Sequence, residues 1–368
     1  MIQENSKDLK NSINPSYAER IMRQNLIYNN FCDKSKTAGI LGAALIVLIL
    51  SSIPAKNGYA IPLQPSSSDQ NVKVFVMYAG SLVKIFEKDL GPAFQAKTGY
   101  PYTGEGRGSL QVANMIMDGQ RRPDVFVSAG TIPINKLINS TSSSISKSPL
   151  AQGLVKFASA EMVIAYLPTS HFHADLDKAK KGLVPWYQVL SEQGFKFGRT
   201  DPDLDPKGYY TIIMSKLANS FYKDGNIKQR VLGEDKNPKQ LFPEETLITT
   251  LETGHLDAIA AYKHEAIARG LQYITLPAQI NLGNPSFSNL YKTVTYILPS
   301  GQIVHGEPIY FSVTIPNTYQ NLAGAEAFVK FLLSPDGSSI LQRDGLDRIK
   351  PVAQGQMVKI PFTGSTSR

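Results

Sequence analysis

The chain has 368 residues, a net charge of +8 from 38 basic and 30 acidic residues, and a single cysteine, Cys32. This length exceeds what one small core requires and suits two lobes of ordinary size. Because Cys32 precedes an uncharged apolar run, everything after that run lacks the thiols required for disulfides, zinc-thiolate sites or thiol nucleophiles. From residue 61 onward, 31 basic and 26 acidic residues leave +5 without a basic stripe, which disfavours nucleic acid and favours small anionic solutes.

The first part of the chain carries targeting information. Residues 37–55 form an uncharged stretch of the length of a membrane span or a long signal core, and residues 1–36 form a leader with a small positive excess that fits a cytoplasmic start. Small residues at 58–60 permit cleavage, whereas the long leader equally fits an uncleaved anchor or a start at Met22. Residues 56–70 predict a linker. The sequence therefore predicts a protein at the extracellular face of the membrane, either anchored or secreted.

Alternating strands and helices begin directly after the linker. The apolar run at 72–78 predicts a strand covered on both faces, and Gly80-Ser81 opens a helix behind it. Gly108-Ser109 opens a second helix, and residues 124–130 predict another buried strand. Ligands of open α/β sheets bind at the carboxyl ends of strands, where Ser81, Ser109 and Ser128 fall.

Residues 197–210, FGRTDPDLDPKGYY, combine three aspartates, two prolines and a Gly-Tyr-Tyr ending. This composition predicts an irregular loop, neither helix nor strand. Such a loop serves either as a surface turn or as a binding segment. The alternation resumes beyond it with the following predicted elements: strands at 161–168, 256–262 and 308–316, and helices at 186–190, 212–222, 244–251, 264–270 and 322–333.

The two Gly-Ser helix starts have two interpretations. Each serine can cap its own helix, or the pair can bind an oxyanion through hydroxyl groups and the free N–H groups of a helix start. The five histidines lack zinc-site spacing, and the chain lacks a GxSxG nucleophile motif. The sequence thus nominates no catalytic residue.

Five short motifs, taken in their order along the chain, indicate a resemblance to a known family. The motifs are YAGSL (78–82), GSL (108–110), EMVIAY (161–166), the Asp-rich segment (197–210) and FVKFLLSPDG (328–337). Each is weak alone, but in this order the chain resembles the archaeal-type tungstate/molybdate-binding proteins of ABC transporters. The resemblance runs from about Val72 to Pro351.

The resemblance implies an α/β fold of the two-lobed type II periplasmic-binding-protein kind, preceded here by an N-terminal signal or anchor helix. Lobe I would comprise residues 71–157 plus 315–355, lobe II residues 158–314, and the tail residues 356–368. Proteins of this family perform no chemistry and use no cofactor. They capture a small oxyanion, tungstate or molybdate, and deliver it to an ABC-transporter permease. We expect a monomer that contacts the membrane through its N-terminal segment if that segment is not cleaved.

The resemblance also implies a set of site residues. Ser81 and Ser109 would donate hydrogen bonds to the oxyanion, Asp205 would contact its tungsten or molybdenum centre, and Tyr209 and Tyr262 would line the cleft. Further candidates are Gly80, Ser128 and Glu265. A carboxylate can face this anion because a d0 metal centre accepts further hard oxygen donors and sulfur in sulfate does not, so the carboxylate selects against sulfate.

The chain departs from the family pattern at three positions. Ala261 stands where the family places a second carboxylate, Lys207 where cysteine is frequent, and Gly130 where aspartate is common. One alternative is that Glu265 replaces the missing carboxylate. A second is that the same fold binds another tetrahedral anion, sulfate or phosphate. A distant third is a membrane-anchored surface enzyme that uses Asp201, Asp203 and Asp205 as a divalent-metal or acid/base site.

Overall fold

The structure, a computed structural model, describes residues 72–140 and 143–356, together with the backbone of residues 365–366. The predicted signal or anchor segment at 37–55 and the linker lie outside the described residues. Within the described part of the chain, no helix has both the length and the apolar character needed to cross a membrane.

The larger of the two main sheets has seven strands and mixed direction. In spatial order they are Ser365–Thr366 (β14), Asp347–Gly355 (β13), Gly153–Ala160 (β4), Ile309–Thr314 (β12), Val125–Ala129 (β3), Val74–Ala79 (β1) and Tyr102–Arg107 (β2). β1 is parallel to both β2 and β3, whereas β12 is antiparallel to β3 and β4. The parallel part of the sheet directs the carboxyl ends of β1 and β3 towards the same edge.

The smaller main sheet has five strands. In spatial order they are Leu241–Phe242 (β7), Phe197–Thr200 (β6), Ala258–Tyr262 (β8), Met162–Tyr166 (β5) and Gln272–Thr275 (β9). A separate hairpin pairs Thr295–Ile297 (β10) with Ile303–His305 (β11). The chain passes from the large to the small sheet at Glu161 and re-enters the large sheet at Ile309. The residue boundaries of the two lobes stay a prediction.

Helices cover the sheets. The segment after β1 is helical from Gly80 to Thr98: a 3-10 turn Gly80–Leu82, an α-helical turn Val83–Ile85 (α1), a π-helical stretch Phe86–Leu90 and Gly91–Thr98 (α2). The other helices are Ser109–Met117 (α3), Ile132–Ile138 (α4), His173–Lys180 (α5), Trp186–Val189 (α6), Pro206–Phe221 (α7), Ile227–Leu232 (α8), Glu244–Glu252 (α9), Lys263–Arg269 (α10), Ser288–Tyr291 (α11), Leu322–Leu332 (α12) and Pro335–Arg343 (α13), with a 3-10 turn at Pro285–Phe287.

The almost continuously apolar sequence of β1 follows from its burial on both faces. Val76 and Tyr78 pack in one apolar cluster, while Met77 between them packs in a second cluster on the other face of the sheet. Successive side chains of a strand point to opposite faces, so a strand buried on both sides has no position for a polar residue. The predicted two-sided burial of this strand is confirmed.

The prediction that residues 197–210 form an irregular loop is wrong at both ends. Residues 197–200 form β6, and helix α7 already begins at Pro206. Asp205 adopts an extended backbone and accepts a hydrogen bond from the N–H of Lys207 at 3.0 Å, so it is the N-cap of α7. Proline is favoured at the first helical position because it has no N–H that would remain unpaired there. Gly208 is needed in this first turn because a Cβ would lie 2.6 Å from the carbonyl oxygen of Thr200.

Candidate functional site

The N-terminus of α3, on the large-sheet lobe, meets the start of α7 on the small-sheet lobe. The N–H of Ser109 donates to Oδ2 of Asp205 at 3.3 Å, and the N–H of Gln111 donates to the carbonyl oxygen of Leu204 at 2.9 Å. Gly108 permits this approach, because a Cβ at that position would lie 2.6 Å from the Leu204 oxygen. The contact therefore brings Ser109 and Asp205 together across the two lobes.

Asp205 is buried and accepts three hydrogen bonds. Besides the N–H groups of Ser109 and Lys207, the hydroxyl of Thr200 donates to its Oδ1 at 3.0 Å. Burial raises the pKa of Asp205 from 3.8 to about 6, against the opposing effect of Lys207 and of these donors. The carboxyl group lies at the lobe boundary in a position fixed by its donors.

The serines of the large-sheet lobe have different surroundings. Neither Ser81 nor Ser109 caps its own helix. Oγ of Ser109 accepts from the N–H of Ala129 at 3.1 Å, and the hydroxyl of Ser128 donates to the carbonyl oxygen of Ala129 at 3.0 Å. The buried hydroxyl of Ser81 has no hydrogen-bond partner among the described residues. The capping interpretation is therefore wrong for both helix starts.

Three buried tyrosines contribute hydroxyl groups from the small-sheet lobe. The hydroxyls of Tyr209, Tyr210 and Tyr262 have no hydrogen-bond partner in the described part of the chain. Burial raises the pKa of each well above 10, so all three stay protonated and can donate at physiological pH. Because a Cβ on Gly130 would lie 2.9 Å from the Tyr210 hydroxyl and 3.4 Å from that of Tyr209, the missing side chain at Gly130 makes room for this pair.

Sequence reasoning missed Tyr210. The signal in the sequence was Asp205-Pro206, a favourable N-cap followed by a first-turn proline. A helix that begins there buries both Tyr209 and Tyr210, whereas a surface loop would leave them exposed. The two rings contact each other at 4.7 Å between centroids.

A buried ion triad lies under these groups. The ammonium group of Lys207 donates to Oε1 of Glu244 at 3.0 Å and to Oε1 and Oε2 of Glu265 at 2.8 and 3.0 Å. All three side chains are at most 3% exposed. Burial disfavours the charged form of Lys207, but Glu244 and Glu265 outweigh it and raise its pKa. The positive charge of Lys207 is thus engaged by two carboxylates.

Glu265 and Ala261 have different surroundings. Glu265 accepts from the N–H of Tyr262 at 2.8 Å as well as from Lys207, so both its oxygens are engaged within the small-sheet lobe. Ala261 is fully buried in the apolar cluster that packs α9 and α10 on the small sheet. A glutamate at this position would place its side chain among Leu247, Leu251 and Ala266.

Glu244 is a second residue that sequence reasoning missed. Its side chain lies directly against Gly80, where it occupies the space that a Cβ would take. Glu244 and Asp205 also line one cavity of about 300 Å3 between the lobes. The other residues around this cavity are Gly108, Gln111, Thr200, Asp201, Leu204, Leu241, Phe242, Pro243 and Glu245.

The remaining aspartates of the 197–210 segment do not join Asp205. Oδ1 of Asp201 accepts from the N–H of Asp203 at 2.9 Å, and Asp203 accepts from the hydroxyl of Tyr296 at 2.8 Å and pairs with Lys236. In the described residues, no group of three or more His, Cys, Asp or Glu side chains could hold a metal ion. The three aspartates therefore serve separate contacts.

These features define the class of the protein. A large and a small α/β sheet, connected by two crossings of the chain and meeting over buried hydroxyl donors, form a two-lobed solute-binding fold. Residues 74–347 match the family described as bacterial extracellular solute-binding protein, and the chain belongs to this family. The family consists of transport proteins that act outside the cytoplasm.

Comparison with known proteins gives further similarities. The chain is 32% identical over 304 residues to an uncharacterized solute-binding protein of Petrotoga mobilis, with 80% of this chain and 89% of that one covered. It is 28% identical over 338 residues to the molybdate/tungstate-binding protein WtpA of Pyrococcus abyssi, with 85% and 93% covered. The solved periplasmic molybdate-binding protein of Azotobacter vinelandii superposes with a TM-score of 0.53 at 16% identity, covering 76% of this chain and 100% of that chain, which supports the type II fold.

Proposed function

We propose that this protein captures tungstate or molybdate outside the cytoplasm and delivers the oxyanion to an ABC-transporter permease. The observation that carries the proposal is the set of four buried hydroxyls, of Ser81, Tyr209, Tyr210 and Tyr262, that have no partner among the described residues. Buried donors without a partner cost free energy, and a bound oxyanion supplies acceptors for them. The name of the Pyrococcus relative, molybdate/tungstate-binding protein, supports the choice of oxyanion.

The proposal assigns a role to each candidate site residue. Ser81 and Ser109 donate from the large-sheet lobe, with Gly80 and Ser128 shaping that wall. Tyr209 and Tyr262 donate from the small-sheet lobe, and Asp205 contacts the metal centre of the anion. These are neutral donors plus a carboxylate, which suits a dianion with a Lewis-acidic centre better than one whose central atom accepts no further oxygen. Glu265 supports Lys207 and Tyr262 and is not a second carboxylate ligand in this proposal.

A second candidate keeps the fold and changes the solute to sulfate or phosphate. The observation in its favour is Ala261, which leaves Asp205 without the partner carboxylate of the family pattern and lies in apolar packing. Four-coordinate anions held by donors alone do not require that partner. Direct competition between anions separates the two candidates.

The test is calorimetric titration of the full-length protein, purified in detergent, with tungstate, molybdate, sulfate and phosphate. We expect heat and thermal stabilisation with tungstate or molybdate that sulfate does not reproduce, since a ligand at 100 times its dissociation constant stabilises by about 2.7 kcal/mol. Displacement of tungstate by equimolar sulfate would favour the second candidate. No signal with any of the four anions would refute oxyanion capture.

Three finer statements belong to the same proposal. The protein binds its solute without chemical turnover, works as a monomer, and is either secreted or held at the outer face of the membrane through residues 37–55. Native mass spectrometry of the protein after incubation with the anion tests the first two, because an anion bound with unchanged mass and the oligomeric state are both read from the measured mass. Cell fractionation followed by N-terminal sequencing tests the third.

A further inference from the structure

We propose that Lys207 is a positioning residue for solute capture, which holds Tyr262 and the Glu244 wall of the cleft in register with Ser81. The inference rests on the proposed function for its binding readout. Lys207 is a buried cation, and the binding roles proposed for the hydroxyl groups and Asp205 give no reason for its presence.

The first step is the position of the ammonium group. Lys207 lies in the first turn of α7, Glu244 begins α9, and Glu265 lies in the first turn of α10. The Lys207 ammonium lies 2.8 to 3.0 Å from carboxylate oxygens of Glu244 and Glu265, and all three side chains are buried. One buried charge therefore ties together the starts of three helices of the small-sheet lobe.

The second step connects the triad to Tyr262. Glu265 accepts from the N–H of Tyr262 at 2.8 Å, and the Lys207 ammonium lies 5.5 Å from the centroid of the Tyr262 ring. Both the backbone and the ring of Tyr262 are thus fixed by groups of the triad. Tyr262 is one of the residues whose hydroxyl has no partner in the described structure.

The third step connects the triad to the other lobe. Lys207 holds Glu244 in the position where its side chain lies against Gly80, next to Ser81. A displaced Glu244 would change the surface on which the Gly80–Leu82 turn rests. Lys207 is therefore connected through Glu244 to the Gly80–Leu82 turn of the large-sheet lobe.

The alternative is that the triad only stabilises the fold. Breaking a buried ion pair by removing one partner is strongly destabilising because it leaves an uncompensated charge. Replacing the whole set by hydrophobic residues of similar volume is often tolerated, and neutral isosteres likewise leave no uncompensated charge. This difference separates the two roles, because neutral replacement of all three members can restore stability without restoring the geometry that the ion contacts impose.

The experiment uses full-length Lys207→Met, the triple variant Lys207→Met/Glu244→Gln/Glu265→Gln, and Glu252→Gln as an exposed control at the far end of α9. Tungstate affinity is measured by calorimetry at a temperature at which every variant is folded, and thermal unfolding is followed without anion. We expect Lys207→Met to lower the melting temperature and weaken affinity at least tenfold. The triple variant should regain most of the melting temperature yet bind at least tenfold more weakly than wild type, while Glu252→Gln stays within twofold of wild type.

Wild-type affinity in Lys207→Met, or affinity that recovers together with stability in the triple variant, would overturn the inference. Hydrogen-deuterium exchange of the anion-free protein gives a readout that does not depend on tungstate. We expect faster exchange at the amide of Tyr262 and in the segment around Ser81 in Lys207→Met, and unchanged exchange there would also overturn the inference. Failure of wild-type protein to bind any oxyanion would refute the proposed function instead, while the exchange experiment still tests the positioning role.

Discussion

The two Gly-Ser helix starts of the large-sheet lobe look equivalent in sequence but differ in the folded protein. At Gly108-Ser109 the serine N–H donates to Asp205 and the serine oxygen accepts from Ala129. At Gly80-Ser81 the glycine rests against Glu244, and the buried serine hydroxyl has no partner among the described residues. The same dipeptide thus provides a contact between the lobes in one place and an unused donor in the other.

On the proposed function, the start of α3 acts mainly in closure and the turn at Gly80–Leu82 in solute recognition. A helix N-terminus offers free N–H groups to any acceptor. At α3 the turn at Leu204 and Asp205 provides two protein acceptors, so the helix start binds the opposite lobe directly.

The largest expected effect concerns the carboxyl group that joins α3. The folded pKa of Asp205, about 6, exceeds its usual value of 3.8, so the stability that its protonated form contributes is present at low pH and is lost as pH rises through about 6. Relative to Asp205→Asn, the free energy of unfolding of wild type should fall by up to about 3 kcal/mol between pH 3 and pH 7. Urea denaturation of both proteins across this range measures the difference, which cancels contributions from groups that do not interact with Asp205. Parallel pH profiles would contradict the burial of an ionisable Asp205.

The next effect concerns the closure contact itself. Gly108→Ala places a Cβ against a backbone oxygen, which cannot move aside without separating the lobes. We expect tungstate affinity to fall about 100-fold, equivalent to about 2.7 kcal/mol, with the fold of each lobe retained. Calorimetry gives the affinity and small-angle scattering the change in radius of gyration. Gly225→Ala is the matched control because open space surrounds that position. Wild-type affinity in Gly108→Ala would show that the α3 contact is dispensable for binding.

The smallest effects distinguish the two serines. Ser109→Ala leaves the N–H of Ala129 buried without its acceptor and should cost about 1–3 kcal/mol of stability in the absence of anion. Ser81→Ala removes a hydroxyl that has no protein partner in the described structure, so stability should change by less than about 0.5 kcal/mol while tungstate affinity falls about tenfold. Urea denaturation and calorimetry measure both quantities. Equal stability losses in the two variants would remove the distinction between closure and recognition.

The helices and strands that could be predicted from sequence are those in which the spacing of apolar residues along the element matches the faces that it buries. The strand at β1 and the helix that begins at Ser109 were predicted because a continuous apolar run and a 3.6-residue apolar spacing each follow from local geometry. The start of α7 was missed although Asp205-Pro206 is a favourable N-cap and first helical residue. The turn-forming character of Asp and Pro concealed it.

Glu244 and the partners of Lys207 could not be predicted from spacing. Glu244 lies 37 residues and Glu265 lies 58 residues from Lys207, and no periodicity joins them. A charged residue in sequence predicts exposure, and only packing of three helix starts made these three side chains fully buried.

The amino-acid sequence was enough to establish the α/β alternation, the absence of cysteine after Cys32, and an order of motifs that resembles the tungstate/molybdate-binding proteins. Only the folded structure showed that Ser109 contacts Asp205, that Lys207 donates to Glu265, and that the Ser81 hydroxyl has no partner among the described residues. The reason is the separation along the chain between the residues involved. Apolar periodicity depends on residues a few positions apart in one helix or strand, whereas hydrogen bonds and buried ion pairs depend on any residues that the fold brings within about 3 Å.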